Sequence, residues 1–232
     1  MLEIGAGTGT LTQALLEARA DVTALELDPD LIPLLAARPE LAAARIFQAD
    51  ALTYDYASYA ATGPWRVAAN LPYNVATPLM LALVAMPNGP ERLILMIQKD
   101  VADRLLAAPG TAAYGSLTVA IRNTMVTTRA FTIGPTHFHP RPKIDSSVVV
   151  LTRRTQPLVA IADPARFEQV VRGAFAYRRK TLANSLCLAL GLDRAVIRHA
   201  LDACALEPEI RGERLDLADF ARVADALAAE RL

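Results

Sequence analysis

Asn70, Leu71, Pro72 and Tyr73 follow one another where an apolar run, Arg66 to Ala69, gives way to a helical pattern. The Asn70 side-chain oxygen and the backbone carbonyl of Leu71, held outward by the proline after it, are two acceptors that together suit an amino group. Pro72 biases Leu71 toward an extended conformation and so fixes the direction of that carbonyl. Tyr73 adds a flat face on which a planar ring can stack. The chemistry implied is the gripping of an exocyclic amine on a planar base.

Three further groups stand at comparable positions along the chain. In "LEIGAGTGTLT", Gly5, Gly7 and Gly9 lie between an expected strand and an expected helix. Glycine there lets backbone approach a ligand closely, and the helix start offers free N–H groups. The spacing departs from the dinucleotide fingerprint G-x-G-x-x-G, because the third glycine comes one residue early and Thr10 occupies its slot. Glu26 ends the run "TALE" about twenty residues later, a position from which an acid can hold the two hydroxyls of a ribose. Asp50 in "FQADAL" can accept a hydrogen bond from the exocyclic amine of an adenine. Either acid by itself also suits a helix cap; in order they suit one adenosine-bearing ligand beyond the carboxyl ends of strands.

The elements that must position these groups alternate. Strands are expected at Leu2 to Ile4, Val22 to Glu26, Arg45 to Gln48, Arg66 to Ala69 and Leu93 to Ile97. Helices are expected at Leu11 to Ala18, Asp30 to Ala36, Pro78 to Ala85 and Asp100 to Ala107. Such alternation is the signature of βαβ units around a mainly parallel sheet. After a helical stretch beyond Gly115, "NTMVTTRAFTI" and "SSVVVL" read as an antiparallel pair at the sheet edge. From Asp163 onward the pattern is helical only, with starts at Asp163-Pro164, Asp193 and Asp216. The expected division is therefore 1–156, an α/β domain, and 157–232, a small all-helical domain, with "QPLVAIADP" at the boundary.

The 232 residues suffice for a substantial core. No apolar run reaches the roughly 18 to 20 residues of a spanning helix, and the first residues lack the pattern of a signal peptide, so the cytosol is the expected compartment. Cys187 and Cys204 sit in Ala/Leu-rich helical surroundings and read as buried thiols, with no metal site implied. The formal net charge is zero, yet Arg141 to Lys180 holds nine Lys/Arg against three acids. A block of this kind is either a solvated face or a phosphate-binding one.

Taken together, "LEIGAGTGTLT", "NLPYNVATPLM", "MIQKDVADRLLA", "AYGSLTV", "FHPRPKIDSSVVVL", "AFAYRRKTLANSL" and "RGERLDLADF" resemble the bacterial small-subunit rRNA adenine dimethyltransferases, the family associated with kasugamycin sensitivity. The likeness runs from the first residue almost to the last. It implies a Rossmann-like class I S-adenosylmethionine-dependent methyltransferase domain followed by a helical rRNA-recognition domain. The implied reaction converts two adjacent adenosines, in a loop near the 3′ end of small-subunit rRNA, to dimethyladenosines during ribosome biogenesis. Carried over by position, Gly5 and Gly7 lie at the cofactor's methionine and ribose end, Glu26 at the ribose, Asp50 at the adenine amine, and Asn70 between cofactor and target. Asn70, Leu71, Pro72 and Tyr73 form the catalytic phrase, and Phe138 in "FHPRP" is similar to the family's second stacking aromatic. Arg141, Lys143, Arg178, Arg179 and Lys180 become candidates for phosphate contact. His137 and His139 fit loop structure or phosphate contact better than proton transfer, since an alkylated amine sheds its proton readily to water.

The resemblance also implies a meeting with rRNA within an immature small subunit; a monomer is expected, without membrane or metal. Family members carry several dozen residues before the glycine motif, including a "QNFL"-like phrase that helps cover the cofactor, and this sequence begins at Met1 inside the first strand. Two alternatives stay open. One is a relative of the erythromycin-resistance methyltransferases acting on large-subunit rRNA, which share the amine clamp and the "FHPxP" phrase. The other is a ribosome-assembly factor that binds without methylating. A nicotinamide oxidoreductase is disfavoured by the glycine spacing.

Overall fold

A computed structural model describes residues 1–71, 73–138 and 141–229, with the backbone alone at 73 and 74. In chain order the elements are β1 (Leu2–Ile4), α1 (Thr10–Glu17), β2 (Thr23–Glu26), α2 (Leu31–Ala36), β3 (Arg45–Gln48), α3 (Tyr56–Ala60), β4 (Arg66–Asn70), α4 (Tyr73–Ala85), β5 (Arg92–Gln98) and α5 (Lys99–Leu106). Then come α6 (Ser116–Arg122), β6 (Met125–Ile133), β7 (Ser146–Arg153), α7 (Pro164–Ala176), α8 (Leu182–Leu190), α9 (Arg194–Ala203) and α10 (Leu217–Ala229). All five expected parallel strands form within a residue or two of their expected bounds. Helix α4 begins at Tyr73, earlier than expected, and contains Pro78. Proline is favoured in the first helical turn, which is why the sequence pattern suggests a start there. Helices α3 and α8 had no expected counterpart; short caps, Asp55 accepting from the Ser58 N–H at 3.1 Å and Thr181 from that of Asn184 at 3.4 Å, start them.

The chain divides into two compact units, residues 1–102 with 125–153 and residues 103–124 with 154–232. The first holds a seven-stranded sheet of order β3-β2-β1-β4-β5-β7-β6. Strands β3 to β5 are parallel, while β7 lies antiparallel between β5 and β6. The pair β6–β7 is thus the antiparallel edge expected, with the later strand placed inside. Strand β1 is central and wholly buried, which its run Leu-Glu-Ile serves at both apolar positions. Leu2, Ile4, Val67, Leu93, Leu95, Val149 and Leu151 are each 2% exposed or less, and full burial of such a side chain is worth about 1.5 to 3 kcal/mol.

The second unit is helical, and it takes in α6, a segment expected in the first domain. The physical reason is local: Tyr114, just before α6, is buried among Phe167, Leu182 and Phe220. Its hydroxyl donates to the Leu215 carbonyl at 3.0 Å. Asn123, just after α6, closes a two-way pair with Val159, donating to its carbonyl at 3.3 Å and accepting its N–H at 3.0 Å. The expected helix starts hold, with Asp163, Asp193 and Asp216 each accepting a backbone N–H from the first turn beyond. Cys204 is buried and Cys187 half-buried, both as free thiols.

Arg153, the last residue of β7, braces the first unit. Its guanidinium donates to the carbonyls of Leu83 and Val84 in the final turn of α4, and to that of Pro90, at 3.1 to 3.3 Å. Helix ends leave such carbonyls without intrahelical partners, and a cation there also meets the favourable end of the dipole. Substitution Arg153→Met is expected to lower unfolding free energy by about 2 to 3 kcal/mol in a urea titration; a loss below about 0.5 kcal/mol would show that water replaces the guanidinium without penalty.

Candidate functional site

The strands β3, β2, β1 and β4 are neighbours in that order and run parallel, so their carboxyl ends share one edge of the sheet. Helices α1 and α4 leave from adjacent strands β1 and β4, the place where the strand order reverses direction and where open α/β sheets form a crevice. In register, Ile4 lies between Leu25 and Ala69, and Glu26 lies beside Gln48. The next residues along each strand are therefore Gly5, Glu26, Ala49-Asp50 and Asn70. Four groups separated by up to 65 positions in sequence are collected along one edge by backbone pairing alone.

The glycine loop is held by backbone acceptors. The N–H groups of Gly5 and Ala6 both donate to the Leu25 carbonyl, at 2.9 and 3.1 Å. Gly5, Gly7 and Gly9 have φ of 78°, 56° and 83°, the left-handed region that other residues enter only with strain. At Gly9 the reason for glycine is also steric, since a Cβ would come within 2.5 Å of Leu41 and 2.9 Å of Leu35. Above Gly7 the space is open, with no atom within 4 Å of such a Cβ. Arg38 supports the loop from outside, donating to the Thr8 carbonyl and, at 2.8 Å, to Gln13 Oε1.

Glu26 is buried, and its carboxylate faces the loop. Oε2 accepts the Gly7 N–H at 2.7 Å and Oε1 accepts that of Asp28 at 2.9 Å. A carboxylate offers about four acceptor sites, so two backbone bonds orient it and leave capacity for hydroxyl donors. Asp50 is exposed; its Oδ1 accepts the Leu52 N–H at 2.8 Å, closing a tight turn. Tyr56 steadies that turn by donating to the Ala51 carbonyl at 2.7 Å, its ring stacked on Trp65 with centroids 6.1 Å apart. Asn70 is the exposed last residue of β4, and its carbonyl stands 3.8 Å from where a Gly5 Cβ would be. The end of β4 and the glycine loop are thus neighbours, following the paired residues Ala69 and Ile4.

The remaining sequence-derived residues are placed less tightly. The Leu71 side chain is 4% exposed and anchors the phrase in the core. Pro72 lies outside the described residues, as does His139, and Tyr73 is described only as the first backbone position of α4. Phe138 is half-buried in extended backbone that follows a short 3-10 turn, Pro135–His137. Arg141 and Lys143 are exposed in the first unit, and Arg178, Arg179 and Lys180 are exposed in the second. Arg38, Tyr56 and Glu3 were not singled out by sequence reasoning. The first two act from outside the motifs and carry no local signal.

A mixed seven-stranded sheet of this order, with its glycine loop and acids along one edge, defines a class I methyltransferase domain. Solved structures agree: a dimethyladenosine transferase from Plasmodium falciparum superposes with a TM-score of 0.71 at 24% identity, covering 96% of this chain and 87% of that one. The 23S rRNA methyltransferase ErmE gives 0.67 at 25% identity, covering 98% and 90%. The model of the family described as ribosomal RNA adenine dimethylase matches residues 1–224, and the chain belongs to that family. Among its relatives, the ribosomal RNA small subunit methyltransferase A of Geobacter metallireducens is 41% identical over 236 residues, spanning 99% of this chain and 85% of its own length. That of Streptococcus mutans is 40% identical, spanning 98% and 81%.

Glu3 has a sequence signal in hindsight: it is an acid at the centre of a three-residue buried strand. It pairs with Ala24 and Ala68, whose small side chains leave room for it. It is fully buried, and neither carboxyl oxygen has a hydrogen bond of good geometry among the described residues. Burial pushes its pKa up to about 7; Thr12 nearby favours the ionised form, and the charge of Glu26 opposes it. The folded state therefore holds a proton that the unfolded chain releases above about pH 4.5. The resulting stabilisation is complete below that pH and is lost as pH rises toward 7, amounting to on the order of 3 kcal/mol. Chemical denaturation of Glu3→Gln between pH 4.5 and 8 should lack this decline and leave the variant more stable than the native chain at pH 8; parallel profiles for the two proteins would contradict it.

Proposed function

We propose that the chain uses S-adenosylmethionine to dimethylate the N6 amines of two adjacent adenosines in a loop near the 3′ end of small-subunit rRNA. It does so as a monomer, in the cytosol, on an immature small subunit. The observation that carries this reading is that Gly5 and Asn70 follow the paired strand ends Ile4 and Ala69, with the Glu26 carboxylate bonded to the same glycine loop through Gly7. A nucleoside-binding acid and an amine clamp then share one crevice. The identity of about 40% to small-subunit methyltransferases, against 25% to a large-subunit enzyme, supports the small-subunit target over the alternative.

The donor and acceptor set fits an S-adenosyl ligand. Glu26 would hold the ribose hydroxyls with the lone pairs its backbone bonds leave, and Asp50 would accept from the adenine amine. Open space above Gly7 would admit the ligand beside the loop. S-adenosylmethionine supplies a methyl group already activated on a sulfonium, so no strong base is needed. Asn70 and the Leu71 carbonyl would accept the two N–H bonds of the target amine, aiming its lone pair and stabilising the positive charge that grows on nitrogen. The proton displaced by the new N–C bond leaves to water. Tyr73 and Phe138 would stack on the unpaired base, each contributing roughly 1 to 3 kcal/mol. That offsets the few kcal/mol needed to extrude a base, a cost that is smaller in a loop.

Methylation of undermethylated small subunits, read by mass spectrometry of the rRNA, is expected to yield dimethyladenosine with the intact chain. Asn70→Ala should lower kcat/KM by about 10²- to 10³-fold with cofactor affinity nearly unchanged, and Glu26→Ala should weaken saturable S-adenosylmethionine binding at least about tenfold. Unmodified adenines with the intact chain would defeat the enzymatic reading, and absence of saturable cofactor binding would leave an assembly factor in its place.

A further inference from the structure

Three consecutive cations, Arg178, Arg179 and Lys180, occupy the turn between α7 and α8, and all three are exposed. They are not equivalent. Arg178 Nη2 donates to the carbonyls of Ala112 and Tyr114, at 2.9 and 3.0 Å. Among the described residues, the side chains of Arg179 and Lys180 make no hydrogen bond or ion pair. Nη2 carries two hydrogens, and two carbonyls take them. Both two-pronged faces of a guanidinium, Nε with Nη2 and Nη1 with Nη2, need one of those hydrogens. Arg178 has therefore given up the bidentate grip that makes arginine a strong phosphate ligand.

What it grips is rigid. The loop of Ala112 and Tyr114 is tied down by the Tyr114 hydroxyl on the Leu215 carbonyl at 3.0 Å and by the Gly110 N–H on the Glu213 carbonyl at 2.7 Å. The ring of Tyr114 meets that of Phe175 edge-on, with centroids 5.8 Å apart. The turn is fixed at its other side as well. Buried Ser185 accepts the Tyr177 N–H at 3.3 Å and donates to the Gly173 carbonyl at 2.6 Å, while the Lys180 N–H donates to the Tyr177 carbonyl at 2.8 Å.

We propose that Arg178 is a positioning residue and not a phosphate contact: it fixes the turn so that Arg179 and Lys180 present two adjacent charges to an RNA ribose-phosphate backbone. This rests on the reading that the substrate is rRNA. A long side chain that orders a loop from a distant segment reduces the entropy that the loop would otherwise lose on binding. The two outward charges then act as a preset pair.

The test is binding of undermethylated small ribosomal subunits across a salt series. Replacing Arg179 and Lys180 together by alanine should reduce the slope of log affinity against log salt by about two. Arg178→Ala alone should weaken binding at low salt by at least tenfold. Added to the double variant, it should change affinity by less than twofold, because the charges it positions are gone. Amide hydrogen exchange at 177–181 should accelerate in Arg178→Ala and stay unchanged in the double variant. If the alanine variant does not fold, Arg178→Met keeps the aliphatic stem and serves in its place. A triple variant that loses about one further unit of slope would show a direct phosphate contact and overturn the assignment while leaving the RNA reading intact. Absence of salt-dependent binding by the native chain would remove both.

Discussion

The carboxylate of Glu26 accepts one backbone N–H from the loop after β1 and another from the turn after its own strand. Those two bonds fix where the glycine loop runs. Gly5, Gly7 and Gly9 take left-handed conformations; the Gly7 N–H turns to the carboxylate, while those of Gly5 and Gly9 serve the Leu25 and Ala6 carbonyls, and a buried acid needs such a donor. A loop shaped in this way leaves the carboxylate oriented along the crevice. Removing the acid would leave the Gly7 and Asp28 N–H groups without their acceptor and loosen the loop.

Strand β1 shows how tightly this edge is built. It is buried along its whole length. Hydrophobic pairing of Leu2 and Ile4 holds it between β2 and β4. Glu3 is tolerated in that position because its neighbours in register are alanines and because it binds a proton. A second acid so close to Glu26 could not be charged at little cost in the same low-dielectric surroundings.

In the helical unit, the phrases that mark the family are drawn together by polar anchors over long sequence distances. "AYGSLTV" is joined to "RGERLDLADF" by Tyr114 and Leu215, and to "AFAYRRKTLANSL" by Arg178. The last two are joined where the Leu182 N–H donates to the Ile210 carbonyl at 2.7 Å, just before the tail phrase begins. Residues that stand out in sequence as basic or aromatic can therefore serve packing. Tyr114 is among the largest fully buried side chains of the chain, although its hydroxyl would suit a surface equally well. Desolvation raises its pKa to about 12, as befits a phenol that only donates.

The sequence by itself determined the parallel strands, the acids at the ends of β2 and β3, and the glycine loop, because period, strand length and turn residues are local properties. Local chemistry also marked Asn70 and Leu71 as acceptors and Asp163, Asp193 and Asp216 as helix starts. Tertiary structure alone decided that α6 belongs with the helical unit, that β7 lies inside β6, and that Arg178 faces two carbonyls while its neighbours face water. Each of those outcomes depends on which distant backbone group is left without a partner, such as the Leu215 carbonyl 101 positions from Tyr114. A buried donor or acceptor must find its mate in space, and nothing in the spacing of nearby residues records where that mate will be.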